Sequence, residues 1–566
     1  MSAILSRENR ALLLLLALTL LLTVLQLGRT PLFEPDEGRY AEIPREMLAS
    51  GDFITPHLNG VLYFEKPPLH YWAVAASMAL LGQNEWAVRL PGMLATVAMV
   101  LMAAAFAGRR WGARTGLLAG LLTGSSVLVF TLARIAIIDP LVSLCLTGAI
   151  FAFAAFQEAE HDGNGRRARR ALYALAVACG AAVLAKGLIG FVLPGGAIFL
   201  FVLLSGRWRL VPKLLAPGPL LLFLLIAVPW HVEVARRNPD FLDFYFGDQH
   251  FRRFFTKVHR RQGSPFYFLG VLLAGFVPWT GFFGRFRETF PVRLSAFRDR
   301  ATESFLWIWA LLVLLFFTMS QSKLIPYVEP VWASLGVLLA VGIEKARLRG
   351  TAFRTERFLT ALLLTGLAAA GAYYGVGKGH LAAWGHETLG VAVLSLLLVA
   401  VVFSLFPRFL ARLSGRSAAP SRLDPVPGVA GPWLAFLFGL LLILPAAAKA
   451  ITPWPIISTL LRELKPDDLL IQRGHYLQAT SFYTKRFVLV TGLGWHELNF
   501  GSTREGSEGR FPTQEEFLRM WDGPKRVFLI IHEDDLQMIS DPRVGFRPGR
   551  ELARMKNGKF ALLVNH

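Results

Sequence analysis

The chain has 566 residues, of which 54% are hydrophobic and only 17% charged. Soluble proteins carry roughly 25% charged residues, so a cytosolic globular enzyme is excluded for most of this sequence. Lys plus Arg total 59 against 39 Asp plus Glu, a formal net charge of +20. That excess lies in short basic clusters between apolar runs. It is a membrane-topology signal, not a basic nucleic-acid surface, and no nucleic acid partner is expected.

The first apolar run, ALLLLLALTLLLTVLQL, follows Arg7 and Arg10. No small-residue cleavage site closes it, and it reads as an uncleaved span. About thirteen transmembrane helices are expected in all, near 11–28, 90–107, 116–132, 139–157, 171–185, 188–205, 214–230, 266–283, 304–319, 326–343, 358–376, 389–407 and 431–449. With the N-terminus cytoplasmic, the inner loops hold basic clusters at 109–114, 166–170, 207–213, 285–300, 345–357 and 408–422, as the positive-inside rule requires. The parity holds only if Leu69–Gly82 does not cross. It is too short to span, and reads as an interfacial or re-entrant helix.

Two outer loops are long. Residues 30–89 carry Asp36, Arg39, Tyr40, Glu65 and Lys66 interleaved with aromatic residues and prolines. Helical spacing puts Asp36 and Tyr40 on one face with Arg39 beside them. Residues 231–264 have a basic excess, which breaks the topology rule on the outer side and suits an anionic ligand.

After 449 the composition changes. Residues 450–566 read as a soluble α/β domain with strands at 468–472, 486–492 and 525–535 and a helix at 513–521 that opens on a Thr513/Glu516 capping box. It serves as a lid or packing domain, or takes part in substrate capture. Residues 1–449 are the membrane domain.

Ionisable groups at the outer ends of spans are functional candidates: Arg134, Asp139, Lys186, Lys323 and, near it, Tyr327. With Asp36, Glu65, Lys66, His250 and Arg253 they fall on the outer side of this topology. Carboxylates among several cations suit transfer from a lipid-borne phosphate, with the cations countering the leaving group and a carboxylate orienting the acceptor.

FEPDEGRYAEIPREML (33–48), YFEKPPLHYW (63–72), NEWAVRLPG (84–92), ARIAIIDP (133–140), LAKGLIGFVLPG (184–195), FGDQHFRRF (246–254) and SKLIPYVEP (322–330) resemble segments of the GT-C membrane glycosyltransferases. SFYTKR (481–486) and HELNFG (496–501) complete the likeness, and the first two motifs combined with thirteen spans and an outer domain point to the ArnT branch, related to protein O-mannosyltransferases. The resemblance implies a GT-C fold in a bacterial inner membrane with the C-terminal domain periplasmic. It implies transfer of 4-amino-4-deoxy-L-arabinose from undecaprenyl phosphate to a lipid A phosphate, a change associated with polymyxin resistance. Asp36 and Asp139 match the family's acidic positions; Lys66, with Arg39, Arg253 and Lys186, its lipid-phosphate cations. Tyr40, Lys323 and Tyr327 match cavity positions. Some members bind a divalent metal such as zinc, for which Glu65 and His250 are the ligands in question. Two departures stand out. Gly38 sits where relatives often carry a side chain, and Asp-Gln-His occupies 248–250 where Glu directly before His is expected. Both keep a transferase of another sugar or acceptor as the alternative. A transporter is disfavoured, because paired broken helices at mid-membrane and internal inverted symmetry are not evident.

Overall fold

The computed structural model describes residues 7–252, 263–383, 387–405, 425–492, 497–541, 544–547, 549–555 and 558–566. The chain divides into two compact units: residues 1–25 with 92–442, and residues 26–91 with 443–566.

The first unit is helical. Across the described residues of the chain, eight helices are long and apolar enough to cross a membrane, or nine if one bent pair is a single span. Each of the thirteen expected runs is mainly helical over its described residues, but the runs at 11–28, 188–205 and 389–407, of which 406–407 lie outside the described residues, contain shorter apolar helices. Length and composition therefore support eight or nine spans directly. The Pro217–Arg237 helix shows why the solvent is lipid. Leu220, Leu221, Leu224, Leu225, Val228 and Val232 form an outward stripe that water would penalise.

Two expected spans are broken. The run at 116–132 divides into Ala113–Gly124 and Val127–Leu132. At the break, the Ser125 hydroxyl accepts from the Trp279 indole N–H at 2.9 Å, and the Ser125 carbonyl from Trp433 at 2.7 Å. Irregular backbone at membrane depth survives where protein satisfies its polar groups. The run at 266–283 bends by 107° between Tyr267–Gly275 and Trp279–Glu288.

In the second unit, the Asp36–Ser50 helix packs against the Leu69–Leu81 helix and against Gln478–Thr484. Leu69–Leu81 has 13 residues, too few to cross. A small hairpin pairs β1 (His57–Leu58) with β2 (Val61–Leu62). The C-terminal sheet consists of β3 (Leu469–Arg473), β4 (Leu489–Thr491), β5 (Val527–His532), β6 (Arg550–Arg554) and β7 (Phe560–Val564). Its order is β4-β3-β5-β7-β6, with β3 parallel to β4 and β5, and β7 antiparallel to β5 and β6. β5 is a continuous apolar run, as a strand buried on both faces requires. The Gln514–Trp521 helix carries the expected capping box. The Thr513 hydroxyl accepts from the Glu516 N–H at 3.3 Å, and the Glu516 carboxylate from the Thr513 N–H at 2.8 Å.

Candidate functional site

In the membrane unit, one group of candidate charges centres on Asp139. Asp139 opens the Asp139–His161 helix and Lys186 closes Gly165–Lys186, and the two form an ion pair. Lys186 Nζ also lies 4.8 Å from the centre of the Tyr327 ring. Ser143, one turn beyond Asp139, donates to Glu329 at 3.0 Å. Glu329 is fully buried, and its second carboxylate oxygen has no partner among the described residues. A lone buried carboxylate oxygen is costly unless something supplies a proton or a donor, so Glu329 joins the candidates. Lys323 is turned to a local task. It donates to the Thr318 and Ser320 carbonyls at 2.7 and 2.8 Å, at the end of the Ala301–Met319 helix. Arg134 does likewise for Leu22 and Thr23, at 3.0 Å each.

The second unit holds the other group. The first turn of Asp36–Ser50 projects Asp36 and Arg39 together, and they pair. Arg39 reaches across to Glu497, which Gln478 also contacts. Arg39 is nearly buried at 10% side-chain exposure, whereas Asp36 is 53% exposed. Asp36 is thus a carboxylate in this cluster that an incoming molecule can meet. The guanidinium sits 5.3 Å from the Tyr40 ring centre, and Tyr40 packs edge-on against His70. Burial pushes the nearby Tyr63 hydroxyl well up, keeping it a neutral donor. Lys66 Nζ donates to the Glu65 carbonyl at 2.9 Å.

Glu34 anchors this arrangement. Its carboxylate accepts from the Ala479 and Gln478 N–H groups at 2.7 and 3.2 Å. Burial pushes its pKa up to about 8 despite those bonds. Gly38 faces the same backbone, and a Cβ there would collide with the Ala479 nitrogen. The glycine is a packing requirement. Behind it, Arg89 and Glu37 form a fully buried bidentate pair at 2.6 and 2.7 Å. Arg89 also donates to the Leu27, Thr30 and Pro31 carbonyls. Sequence reasoning missed Glu34, Arg89, Glu329 and Glu497 as partners. The signal available for each was an ionisable residue in an apolar context.

In the second outer loop, Arg236 and Arg237 pair with Glu233 and Arg252 with Asp248. Part of the basic excess is therefore neutralised locally. Arg253 and the side chain of His250 lie outside the described residues. Glu65 is described, but no trio of metal-ligand spacing among the described residues includes it. The fit of a metal at Glu65 thus has no support from its described neighbours.

Residues 10–245 match the family model of dolichyl-phosphate-mannose-protein mannosyltransferases. An undecaprenyl phosphate-alpha-4-amino-4-deoxy-L-arabinose arabinosyl transferase of Aeromonas salmonicida is 33% identical over 387 residues, 67% of this chain and 69% of that one. The chain belongs to that transferase family. A member from Edwardsiella ictaluri is 34% identical over 344 residues, and the match spans 60% of the length of each chain. The crystal structure of ArnT from Cupriavidus metallidurans in the apo state covers 99% of both chains at a TM-score of 0.83 and 26% identity. The same protein bound to undecaprenyl phosphate gives a TM-score of 0.80 at 27% identity over 98% of each. The GT-C fold of the ArnT family, with a C-terminal sheet domain, is the fold of this chain.

Proposed function

We propose that the protein transfers 4-amino-4-deoxy-L-arabinose from undecaprenyl phosphate to a phosphate of lipid A, at the periplasmic face of the bacterial inner membrane. The observation that carries this reading is the exposed Asp36 carboxylate held against the buried Arg39, on a chain whose relatives bear that transferase name. An acceptor phosphate oxygen is already anionic, so it attacks the anomeric carbon without strong base help. The bond from that carbon to the donor phosphate oxygen breaks, and undecaprenyl phosphate leaves with the electron pair. Asp36 stabilises positive charge developing on the sugar, or holds its amino group. Lys66 and Arg39, with Arg253, are assigned to the lipid phosphate. Lys186 is held in reserve by Asp139, and an incoming anion competes with that carboxylate for it. Tyr40 and Tyr327 are assigned to substrate contact, each within its own unit, and Lys323 holds the end of the Ala301–Met319 helix.

Mass spectrometry of lipid A tests this in a host that makes the donor and lacks its own transferase. Wild type is expected to add aminoarabinose. D36N should lose transfer by at least about a hundredfold, the scale of removing a key electrostatic group, and K66A should fall sharply. Unmodified lipid A with folded wild type would instead favour another sugar or acceptor. Packing accounts for Gly38, which removes one of the two departures that favoured that alternative.

A further inference from the structure

The C-terminal domain contains a group of metal-competent side chains, remote in chemistry from sugar transfer. β3 is flanked by β4 on one side and β5 on the other. The chain therefore moves outward from β3 to β4 and returns across it to β5. Strand order reverses between β3 and β5, and their carboxyl ends form the crevice where open α/β sheets bind ligands. His475 lies two residues past the end of β3, His532 is the last residue of β5, and Asp535 lies in the first turn of Glu533–Ile539. One ligand atom from each falls within 4.8 Å of the others.

The surroundings are shaped to this trio. The imidazole ring centres lie 4.6 Å apart with 30° between their planes, and Phe560 packs edge-on against both. Gly474 has φ +80, and a Cβ there would occupy the position of the Asp535 carboxylate. His532 Nδ1 is engaged locally: it accepts from the Asp534 N–H at 3.3 Å, capping Glu533–Ile539, so Nε2 is the nitrogen left to an ion. His475 is exposed and the other two half-buried, so an ion and its waters can enter.

We propose that His475, His532 and Asp535 bind a divalent transition cation of the zinc class, tying the loop after β3 to the end of β5. Two imidazoles and one carboxylate are a normal zinc set, with water completing the shell. Tetrahedral bonds of about 2.0–2.1 Å put ligand atoms about 3.3 Å apart, so the trio closes by no more than about 1.5 Å. The opposing charge is Arg473, which faces Asp535 and weakens the site.

The test uses untagged full-length protein in detergent, stripped by chelator and titrated with Co2+, whose visible d–d bands report nitrogen and oxygen ligation. Wild type should bind one Co2+, displaced by Zn2+, and Zn2+ should raise its melting temperature. H475A and D535N should bind at least roughly tenfold more weakly, while E65Q binds as wild type does. His475 is exposed, so H475A keeps the test decisive even if H532A fails to fold. No binding by wild type, equal binding by H475A and D535N, or loss of binding in E65Q alone would each overturn the proposal.

Discussion

Glu34 shows how burial sets chemistry at one position. The unfolded carboxyl titrates near 4.5 and the folded one near 8. Between those values the folded chain keeps a proton that the unfolded chain releases. Stability contributed by the protonated form is therefore complete below about 4.5, falls as pH rises, and is fully lost above about 8. The apparent melting temperature of wild type should drop across that window, and that of E34Q should drop less. Parallel slopes would show that Glu34 is ionised throughout. Gly38→Ala is expected to destabilise by about 1–3 kcal/mol, because a methyl group must displace the Ala479 backbone. An unchanged melting temperature would mean the two segments can separate freely. Asp36 and Arg39 were legible as a pair because they are three residues apart on a helix. Glu497 was not, since 458 residues separate it from Arg39.

Helices and strands differ in how openly the chain announces them. β5 and the capping box at Thr513 follow from local chemistry, apolar β-branched residues in one case and reciprocal hydrogen bonds in the other. β6 escaped notice because it is a polar edge strand, RELAR, whose alternation is weak. The breaks at Ser125 and near Pro278 escaped because hydropathy measures transfer to lipid and is blind to direction. Indole donors more than 150 residues away make the Ser125 break tolerable. The Arg89–Glu37 pair fastens the Glu85–Trp111 helix to the segment before Asp36. Removing one member leaves a buried charge alone, at about 3–5 kcal/mol. E37Q strands the Arg89 guanidinium, and R89K keeps a charge but loses the bidentate fork and the bonds to the Leu27, Thr30 and Pro31 carbonyls, so both should yield little folded protein in fluorescence-detected size exclusion. A monodisperse R89K peak at wild-type yield would contradict this.

At the level of the complete chain, orientation in the membrane is the physical question, and the basic clusters supply an expectation that labelling can test. The clusters at 109–114, 166–170, 207–213, 285–300 and 345–357 fall at the ends of helices and the short links joining them, a placement compatible with the positive-inside rule. The sixth, at 408–422, lies outside the described residues. A cysteine at Glu505, in the exposed part of the C-terminal segment, should react with a membrane-impermeant maleimide in spheroplasts. One at the exposed Arg166 should react only after permeabilisation. The native Cys145 and Cys179 lie within apolar helices and contribute little background. The reverse labelling pattern would invert the orientation.

Composition, the spacing of basic clusters and the motifs around Asp36, Lys66, Asp139 and Lys186 were enough to establish a polytopic GT-C chain and its charged residues. Those features are local, and the preference of apolar runs for lipid acts on each segment independently. The sequence boundary at 449/450 is likewise a change in composition. Contacts group residues 26–91 with 443–566, because Glu34, Gly38 and Arg39 meet Ala479 and Glu497 far along the chain. Which carboxylate is exposed, why Gly38 is glycine, and that Lys323 caps a helix end all depend on neighbours brought together by folding. Pairing between segments separated by hundreds of residues leaves no periodic trace, so it becomes visible only when the chain is packed.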